Sequence, residues 1–343
     1  MSIRKGVADF IERYSRQLLV IGIEKQLKLS SSRIAIIGCG ATGSSVAEAL
    51  ARAGVGFIRI VDRDVVEMNN IHRTHLFKEE DALKRMPKAI ACRKHLKEIN
   101  SNAEVEAIVD DVDADNIQDI IGDVDLVIDG TDNMDTRYLI NEACVKLGKP
   151  WVMIGVERWY GNTKLIVPEK TACLKCFIPR ARTRENVCEI LGVMPIAINL
   201  TVSVALSIAI RYLIENEVDE YLYIVDAYEA IIEKAYVRRN SSCPVCIHKQ
   251  FDFLRREREN VKILCGAKAV KIVPENRIEL DFAKLTNSNI VKNLMVFDDN
   301  VAYGVVDGFE VMILRNGKLF VKGTTDKSCA LELYKKIVNG VTK

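Results

Sequence analysis

A glycine-rich turn between a predicted strand and a predicted helix constrains the fold of this chain more than any other feature. Residues 38–43 read Gly-Cys-Gly-Ala-Thr-Gly and end the β-branched run 33–38, which predicts a buried strand. Residues 42–53 predict a helix that stops at Gly54, and 57–62 predict a second strand. Such a unit, within about 30 residues, is typical of a right-handed βαβ crossover with parallel strands.

The same alternation continues through the first half of the chain. It predicts a helix over 88–99, strands over 105–109 and 126–129, a helix over 135–147 and a strand over 151–155. Helices that alternate with buried strands are typical of a doubly wound α/β domain. We therefore expect a Rossmann-like, mostly parallel sheet.

The pattern changes after this strand. Prolines and cysteines interrupt 166–184, which predicts a loop or crossover. The segment 196–214 is apolar on nearly all sides, so we expect a helix buried in the domain or at an interface. Two late strands are predicted over 221–226 and 230–237.

A small separate module is predicted from about Cys265 onwards. The runs 310–314 and 318–322 flank Arg315-Asn316-Gly317, and an Asn-Gly pair between alternating runs predicts a hairpin. A terminal helix is predicted over 328–338.

These predictions divide the chain into two domains joined by a charged link over 249–259. Residues 1–260 form the α/β domain, which holds the nucleotide and cysteine motifs. Residues 261–343 form the small C-terminal α+β module.

The bulk composition narrows the function classes. Among 343 residues, 49 are Lys or Arg and 47 are Asp or Glu, a near-neutral balance that gives no reason to expect DNA or RNA as a partner. No apolar run reaches the length of a membrane span, and the first residues contain no stretch typical of a secretion signal. We expect a cytoplasmic protein, in which the ten cysteines are mostly reduced and clustered cysteines indicate metal binding or catalysis.

The glycine turn predicts a nucleotide site. Gly38, Gly40 and Gly43 let the backbone turn tightly and approach a phosphate, towards which the helix N-terminus directs its free amides. Asp62 ends the next strand, 19 residues after Gly43, where an acid can accept a hydrogen bond from a ribose. The turn alone does not separate NAD, FAD and ATP.

Charged residues after the turn favour a triphosphate. Arg73 closes the run Asn-Asn-Ile-His-Arg, Lys88 opens a helix after Met-Pro, and Asp-Gly-Thr-Asp-Asn over 129–133 precedes Arg137. Arg73 and Lys88 can neutralise the phosphates and the leaving pyrophosphate, and Asp132 can hold Mg²⁺ through oxygen. Each also has a structural interpretation, Lys88 as a solvated first-turn lysine and Asp132 as a helix N-cap.

Two CxxC pairs predict a zinc site. Cys173 with Cys176 and Cys243 with Cys246 are separated by 66 residues and supply four thiolates, which suit a closed tetrahedral structural site. The alternative is two unrelated pairs of buried cysteines. Zinc at this position would staple the crossover to the late strands. Five other cysteines are interpreted as core thiols, namely Cys39, Cys92, Cys144, Cys265 and Cys329.

Cys188 has a different setting. It follows a basic stretch over 180–184 whose arginines favour a thiolate, while Glu185 and Glu189 oppose it. It is therefore a candidate nucleophile, with a spectator role as the alternative.

Taken together, these motifs resemble those of the ThiF/MoeB/HesA proteins and of the adenylation domain of ubiquitin-activating enzymes. The matching elements occur in the family's order over about residues 10–250. They are Arg-Tyr-Ser-Arg-Gln at 13–17, the glycine turn, Asp-Arg-Asp at 62–64 with the Asn-Asn-Ile-His-Arg run, Pro87-Lys88, Gly-Thr-Asp-Asn at 130–133 and the two CxxC pairs.

The resemblance implies a homodimer that uses MgATP to adenylate the terminal glycine of a small ubiquitin-fold protein ending in Gly-Gly. By position, Asp62 would bind the ribose and Asp132 the Mg²⁺, with Asn133 in the same nucleotide site. Arg16 would reach the ATP of the partner subunit. The phosphates would be bound by Asn70, Arg73 and Lys88.

The resemblance also places Cys188 where several relatives form a covalent bond with the carrier. The C-terminal module, with Gly-Lys-Leu-Phe-Val-Lys-Gly-Thr-Thr-Asp at 317–326, resembles an extension of some ThiF-like proteins and differs from a rhodanese domain. A sulfur source is therefore left undefined.

Two other functions compete with adenylation. One is an NAD- or FAD-dependent oxidoreductase on the same fold. The other is a non-catalytic adaptor that keeps the carrier-binding surface, against which the retained Arg73, Lys88 and Asp132 argue. The carrier itself stays open among thiamin, molybdopterin, tRNA-thiolation and protein-conjugation pathways.

Overall fold

The computed structural model describes residues 2–179, 192–256, 259–264, 268–276 and 278–341. The described residues up to Arg256 form one compact unit, and those from Glu259 onwards form a second. Cys188 and Cys265 lie outside the described residues.

The first unit begins with a long helical segment, kinked at Gly22, and then builds the βαβ core. Gly54 ends the core helix in a left-handed conformation, and all five residues of the second strand are buried. The elements up to the fifth strand are α1 (Ser2–Ser31), β1 (Arg33–Ile37), α2 (Ala41–Ala53), β2 (Phe57–Val61), α3 (Met68–Ile71), α4 (Glu79–Leu83), α5 (Lys88–Ile99), β3 (Glu104–Ile108), α6 (Ile117–Ile121), β4 (Leu126–Asp129), α7 (Met134–Leu147) and β5 (Trp151–Glu157).

An eight-stranded sheet organises this unit in the order β3-β2-β1-β4-β5-β6-β7-β8. The pairs from β3 to β5 are parallel, and the last three pairs are antiparallel. The strand order reverses between β1 and β4, so their carboxyl ends open the crevice where such folds bind ligands. The remaining elements of the unit are β6 (Tyr160–Ile166), α8 (Leu174–Phe177), α9 (Pro195–Glu215), β7 (Tyr221–Asp226) and β8 (Ile231–Tyr236).

The predicted α/β fold with a mostly parallel sheet is confirmed. Besides the short helices α3, α4, α6 and α8, two longer elements of this unit were missed. Strand β6 precedes the predicted crossover, and its Gly161 would place a Cβ 1.8 Å from the hydroxyl of Thr201 on α9. A glycine inside a strand therefore marks the close approach of a helix here. The second missed element is α1, whose exposed Leu19 and Val20 break the apolar stripe by which helices are recognised.

Helix α9 corrects the prediction that no segment reaches membrane-spanning length. It has 21 residues and a mean hydropathy of 1.8, so it qualifies by length and composition. It packs against α2, β5 and β6 and buries residues such as Ile198 and Ile208. The core helix of a globular unit meets the same criterion, and this packing buries 44% of the apolar window of α9.

The second unit is a six-stranded antiparallel sheet with both of its described helices on one face. The strand order is β11-β12-β13-β14-β10-β9, and the helices cover buried residues such as Val270 and Val311. Gly317 turns the β13–β14 hairpin with a φ of 83°. The elements are β9 (Val261–Leu264), β10 (Ala269–Ile272), α10 (Phe282–Asn287), β11 (Lys292–Phe297), β12 (Val301–Val306), β13 (Phe309–Leu314), β14 (Leu319–Lys322) and α11 (Lys327–Val341). The unit is α+β, and its first strand, β9, begins at Val261.

Candidate active site

The glycine turn packs β1 tightly against β4 and leaves one position open. A Cβ on Gly43 would lie 1.9 Å from the carbonyl oxygen of Gly38, and one on Gly130 would lie 2.3 Å from the same oxygen. Gly38 itself has a φ of 90°, which favours glycine. A Cβ on Gly40 would meet no atom within 4 Å. The open space at Gly40, at the start of the 13-residue helix α2, fits a phosphate.

Asp62 holds this turn through its carboxylate. One oxygen accepts the Cys39 amide at 2.6 Å and the other accepts the Asp64 amide at 2.7 Å. Burial raises the pKa of Asp62, against the lowering effect of the Lys88 charge. Each carboxylate oxygen can accept a second hydrogen bond, so Asp62 keeps the capacity to receive one from a ribose.

Lys88 is an enclosed cation. Its Nζ lies 3.3 Å from Asp64 Oδ2, and 12% of its side chain is exposed, so the solvated first-turn interpretation is wrong. Burial alone would lower the pKa of Lys88. The negative charges of Asp64, Asp62 and Asp132 outweigh burial, and the pKa is raised.

Arg63 is a second enclosed cation, to which the sequence assigned no role. Its guanidinium lies 2.5 Å from Asp111 Oδ1, and 19% of the side chain is exposed. Burial would lower its pKa, but the charges of Asp111, Asp64 and Asp132 raise it. The site therefore combines two cations with several carboxylates at the carboxyl ends of β2, β3 and β4.

Asp132 presents an exposed carboxylate near these cations, as its effect on both pKa values indicates. It does not cap α7, because the N-cap is Asn133, whose side-chain oxygen accepts the Thr136 amide at 2.9 Å. The N-cap interpretation of Asp132 is therefore wrong. The Asn133 amide nitrogen lies 3.4 Å from an Asp132 oxygen.

Asn70 and Arg73 are bound to their own short helix in this structure. The buried Asn70 amide accepts from the Glu67 N–H at 3.0 Å and donates to the side chain of Asn69 at 2.8 Å. The Arg73 guanidinium donates to the carbonyl oxygen of Asn69. The Asn70 amide and the Arg73 guanidinium each have more N–H groups than these bonds use, so both keep donors for a phosphate.

The Arg-Tyr-Ser-Arg-Gln run lies on α1. Some of its side chains bind the rest of the unit, and Arg16 is exposed to solvent. Tyr14 is buried and accepts a hydrogen bond from Asn100 at 3.0 Å, while Gln17 donates to the carbonyl oxygen of Ala53 at 2.8 Å. Arg16 is exposed and makes no hydrogen bond or ion pair with any residue that the structure describes.

The two CxxC pairs converge on one point. Their four sulfur atoms lie within 4.8 Å of one another, with Cys173 to Cys243 at 3.6 Å and Cys176 to Cys246 at 3.5 Å. A tetrahedron with zinc–sulfur bonds of about 2.3 Å has edges of about 3.8 Å, so the donor set fits zinc. Hydrogen bonds from Cys173 and Cys246 lower the pKa of the Cys176 thiol.

Helix α7 holds both knuckles. Asn141 accepts the Leu174 amide at 2.9 Å, next to the first pair. Glu142 accepts the amides of Phe253 and Leu254 at 2.8 and 3.1 Å, in the segment that follows the second pair. The helix that starts after Asp132 is thus also the support of the cysteine cluster.

Cys39 and Cys92 are buried and their sulfur atoms are in contact, with Cα atoms 7.4 Å apart, which is farther than a disulfide usually spans. Cys39 lies in the glycine turn and Cys92 lies one turn after Lys88 on α5, so this contact links the two elements that frame the site. Cys144 is a buried thiol as predicted, and burial raises its pKa.

Most of the first unit matches one protein family. Residues 14–245, more than half of the chain, match the ThiF family. The chain belongs to the ThiF family. The resemblance carried by its motifs is therefore confirmed.

Relatives of this ThiF-family protein are adenylyltransferases, and the chain is an enzyme of that class. The sulfur carrier protein ThiS adenylyltransferase of Bacillus subtilis is 34% identical over 94% of this chain and 98% of its own length. The sulfur carrier protein adenylyltransferase of Thermus thermophilus is 32% identical over 75% of this chain and 97% of its own length. The SAMP-activating enzyme E1 of Haloferax volcanii is 31% identical over 70% of this chain and 90% of its own length.

Solved structures show the same fold. Escherichia coli MccB superposes with a TM-score of 0.62 at 23% identity, over 68% of this chain and 74% of that chain. At this level of identity the likeness concerns the fold alone.

Proposed function

We propose that this ThiF-family enzyme uses MgATP to adenylate the C-terminal glycine of a small ubiquitin-fold sulfur-carrier protein, for thiocarboxylation or conjugation. The observation that carries the proposal is the enclosed pair of Lys88 and Asp64 beside the open position at Gly40. A buried cation beside a glycine turn suits a phosphate chain, and the nearby carboxylate of Asp132 suits its metal ion.

The reaction joins the carrier carboxylate to the α-phosphorus of ATP and releases pyrophosphate. Asp62 would hold the ribose, and the amides at the start of α2 would contact the phosphates. Lys88, Arg73 and Asn70 would stabilise the negative charge of the leaving pyrophosphate. Asp132 would hold Mg²⁺ with Asn133 beside it, and the bound ion would neutralise part of that charge.

The carrier class rests on the named activities of the relatives. Two of them act on sulfur carrier proteins by name, and one of these aligns over 98% of its length. The same alignment covers 94% of this chain, so it includes the C-terminal unit as well as the first unit. A carrier that ends in Gly-Gly would offer an unhindered terminal carboxylate to the α-phosphate.

Zinc and a second subunit complete the proposal. Cys173, Cys176, Cys243 and Cys246 would bind one structural Zn²⁺ with no open position for catalysis. Two chains would form a homodimer in which Arg16 of one subunit reaches the ATP of the other. Cys188 would form the covalent bond with the activated carrier, and the enzyme would work in the cytoplasm.

ATP–pyrophosphate exchange tests this proposal. Purified enzyme should exchange labelled pyrophosphate into ATP only with Mg²⁺ and a carrier that ends in Gly-Gly. The matched control is the same carrier without its last glycine. Two outcomes contradict the proposal: exchange that ignores the carrier terminus, and a bound flavin or nicotinamide whose absorbance changes with substrate. The second would favour the oxidoreductase, and carrier binding without ATP turnover would favour the adaptor.

A further inference from the structure

Arg137 lies one turn into α7 and binds three different segments. Its Nε donates to Asp129 Oδ2 at 2.7 Å, and its Nη2 donates to the carbonyl oxygens of Thr131 at 2.8 Å and Ile154 at 2.7 Å. Only 15% of the side chain is exposed. One guanidinium therefore joins the end of β4, the turn after it and the neighbouring strand β5.

Asp129 binds Thr131 as well as Arg137. Its carboxylate is fully buried, and Oδ1 accepts from Thr131 twice, from the amide at 2.9 Å and from the hydroxyl at 2.6 Å. Thr131 is therefore bound at its amide, its hydroxyl and its carbonyl oxygen. The next residue along the chain is Asp132.

The position of Arg137 is energetically unfavourable unless its charge is compensated. A cation near a helix N-terminus opposes the helix dipole, and a buried guanidinium loses hydration. Asp129 and the two carbonyl oxygens offset both costs. Together these contacts fix the backbone immediately before Asp132.

We propose that Arg137 is a positioning residue that sets the carboxylate of Asp132 for the divalent cation of MgATP. The inference rests on the proposed adenylation. Arg137 does not contact the nucleotide, and it acts through the Thr131 carbonyl oxygen and Asp129. A metal-binding carboxylate has to be held within about 0.5 Å of its working position, so a loosened turn should weaken metal use before it weakens the fold.

The first test uses the protein without ligands. In Arg137→Gln, hydrogen exchange of the peptide that contains residues 129–133 should accelerate at least about tenfold, because the Thr131 amide loses its fixed acceptor. The matched control is Arg59→Gln. Arg59 is similarly buried and binds Glu106 at 2.6 Å and the carbonyl oxygen of Ile120 at 2.7 Å, away from Asp132. That control should leave the exchange of 129–133 unchanged.

The second test measures the Mg²⁺ dependence of ATP–pyrophosphate exchange. Arg137→Gln should raise the half-saturating Mg²⁺ concentration by about 10- to 100-fold, the usual cost of losing a group that orients a metal ligand. Arg137→Lys should recover part of the loss, since an ammonium can still reach one or two of the acceptors. In an Asp132→Ala background, Arg137→Gln should add no further loss, because the group that it positions is absent.

Unchanged Mg²⁺ dependence in Arg137→Gln would overturn the inference, as would a full additional loss in the Asp132→Ala background. Should Arg137→Gln fail to fold, Arg137→Lys carries the same two measurements. Failure of the adenylation proposal gives a different result, because the wild-type enzyme would then show no ATP–pyrophosphate exchange. That result would contradict both the adenylation proposal and the inference about Arg137.

Discussion

Lys88 is bound to Asp64 through both its backbone and its side chain. The Lys88 amide donates to the Asp64 carbonyl oxygen at 2.8 Å, and the Lys88 Nζ lies 3.3 Å from the Asp64 carboxylate. The backbone bond fixes where α5 begins, and the ion pair keeps the cation inside the site. A phosphate chain would replace the carboxylate as partner of Lys88 without a movement of the helix.

Lys88→Gln should therefore impair catalysis and not folding. We expect ATP–pyrophosphate exchange to fall by about 100-fold, the usual effect of removing one group that stabilises developing charge. The melting temperature should stay within a few degrees of wild type. The control is Lys94→Gln on the same helix, whose Nζ is exposed and lies 3.9 Å from Asp81. Equal activity in the two variants would show that Lys88 is a structural lysine.

Substitutions at two glycines of the turn should have different effects, one on stability and the other on ATP binding. Gly43→Ala would place a Cβ 1.9 Å from the Gly38 carbonyl oxygen, so it should lower the melting temperature or prevent folding. Gly40→Ala meets no protein atom within 4 Å and should fold normally, but its methyl group would enter the space proposed for the phosphates.

Calorimetry with ATP and thermal melting measure both effects. We expect Gly40→Ala to weaken ATP binding by about tenfold or more, equal to 1.4 kcal/mol or more, with an unchanged melting temperature. Normal ATP affinity in Gly40→Ala would place the nucleotide elsewhere.

Local signals made the nucleotide site predictable from the sequence. The glycine turn, Asp62 and Lys88 each lie at the end of a strand or the start of a helix, and the parallel order brings these ends to one edge. The sequence also predicted the paired cysteines, because two CxxC turns are visible without knowledge of the fold.

Contacts between distant segments were not predictable in this way. The pair of Arg63 with Asp111 joins the ends of β2 and β3, 48 residues apart. The bond between Arg137 and Asp129 spans only eight residues, but it depends on how α7 packs against β4. One signal was available for Arg137: a cation close to the start of a helix needs a nearby acid. The contact between Cys39 and Cys92 had no such signal.

The cysteine cluster should contain one zinc per chain. Because zinc would join the segment of the first pair to that of the second, its binding free energy becomes folding free energy. Cys243→Ser should lose the metal and lower the melting temperature together, by roughly 5 °C or more for several kcal/mol. Cys329→Ser, a half-buried cysteine of the second unit, should retain zinc. Plasma mass spectrometry on unchelated protein measures the content, and a metal-free wild type would refute the site.

Cys188 should be dispensable for adenylation and necessary for transfer. Adenylation needs MgATP and a positioned carboxylate, whereas attack on the adenylate by sulfur needs a thiolate. Cys188→Ser should keep pyrophosphate exchange and lose the thiol-sensitive covalent complex with the carrier on non-reducing gels, while Cys329→Ser should keep both. A complex of equal strength in Cys188→Ser would mean that another cysteine carries the bond. Normal product without any complex would assign Cys188 the spectator role.

Arg16 should act on the nucleotide of the partner subunit. It is exposed on α1, while its neighbours Tyr14 and Gln17 anchor that helix, so its side chain is available for a second chain. Arg16→Ala should lose most exchange with an unchanged melting temperature. Arg13→Ala is the control, since Arg13 lies on the same helix and donates to the carbonyl oxygen of Ile99 at 3.2 Å.

Mixing two inactive variants tests the action in trans. In a dimer of one Arg16→Ala subunit and one Asp132→Ala subunit, one site receives both missing groups and the other receives neither. With random reassortment of a two-fold dimer, half of the dimers are mixed, so the mixture should recover roughly one quarter of the wild-type activity. The control is the Arg16→Ala variant alone, taken through the same mixing procedure, which should recover no exchange activity. A monomeric mass in solution with full activity, or no recovery in a mixture shown to exchange subunits, would mean that Arg16 does not serve the site of a partner subunit.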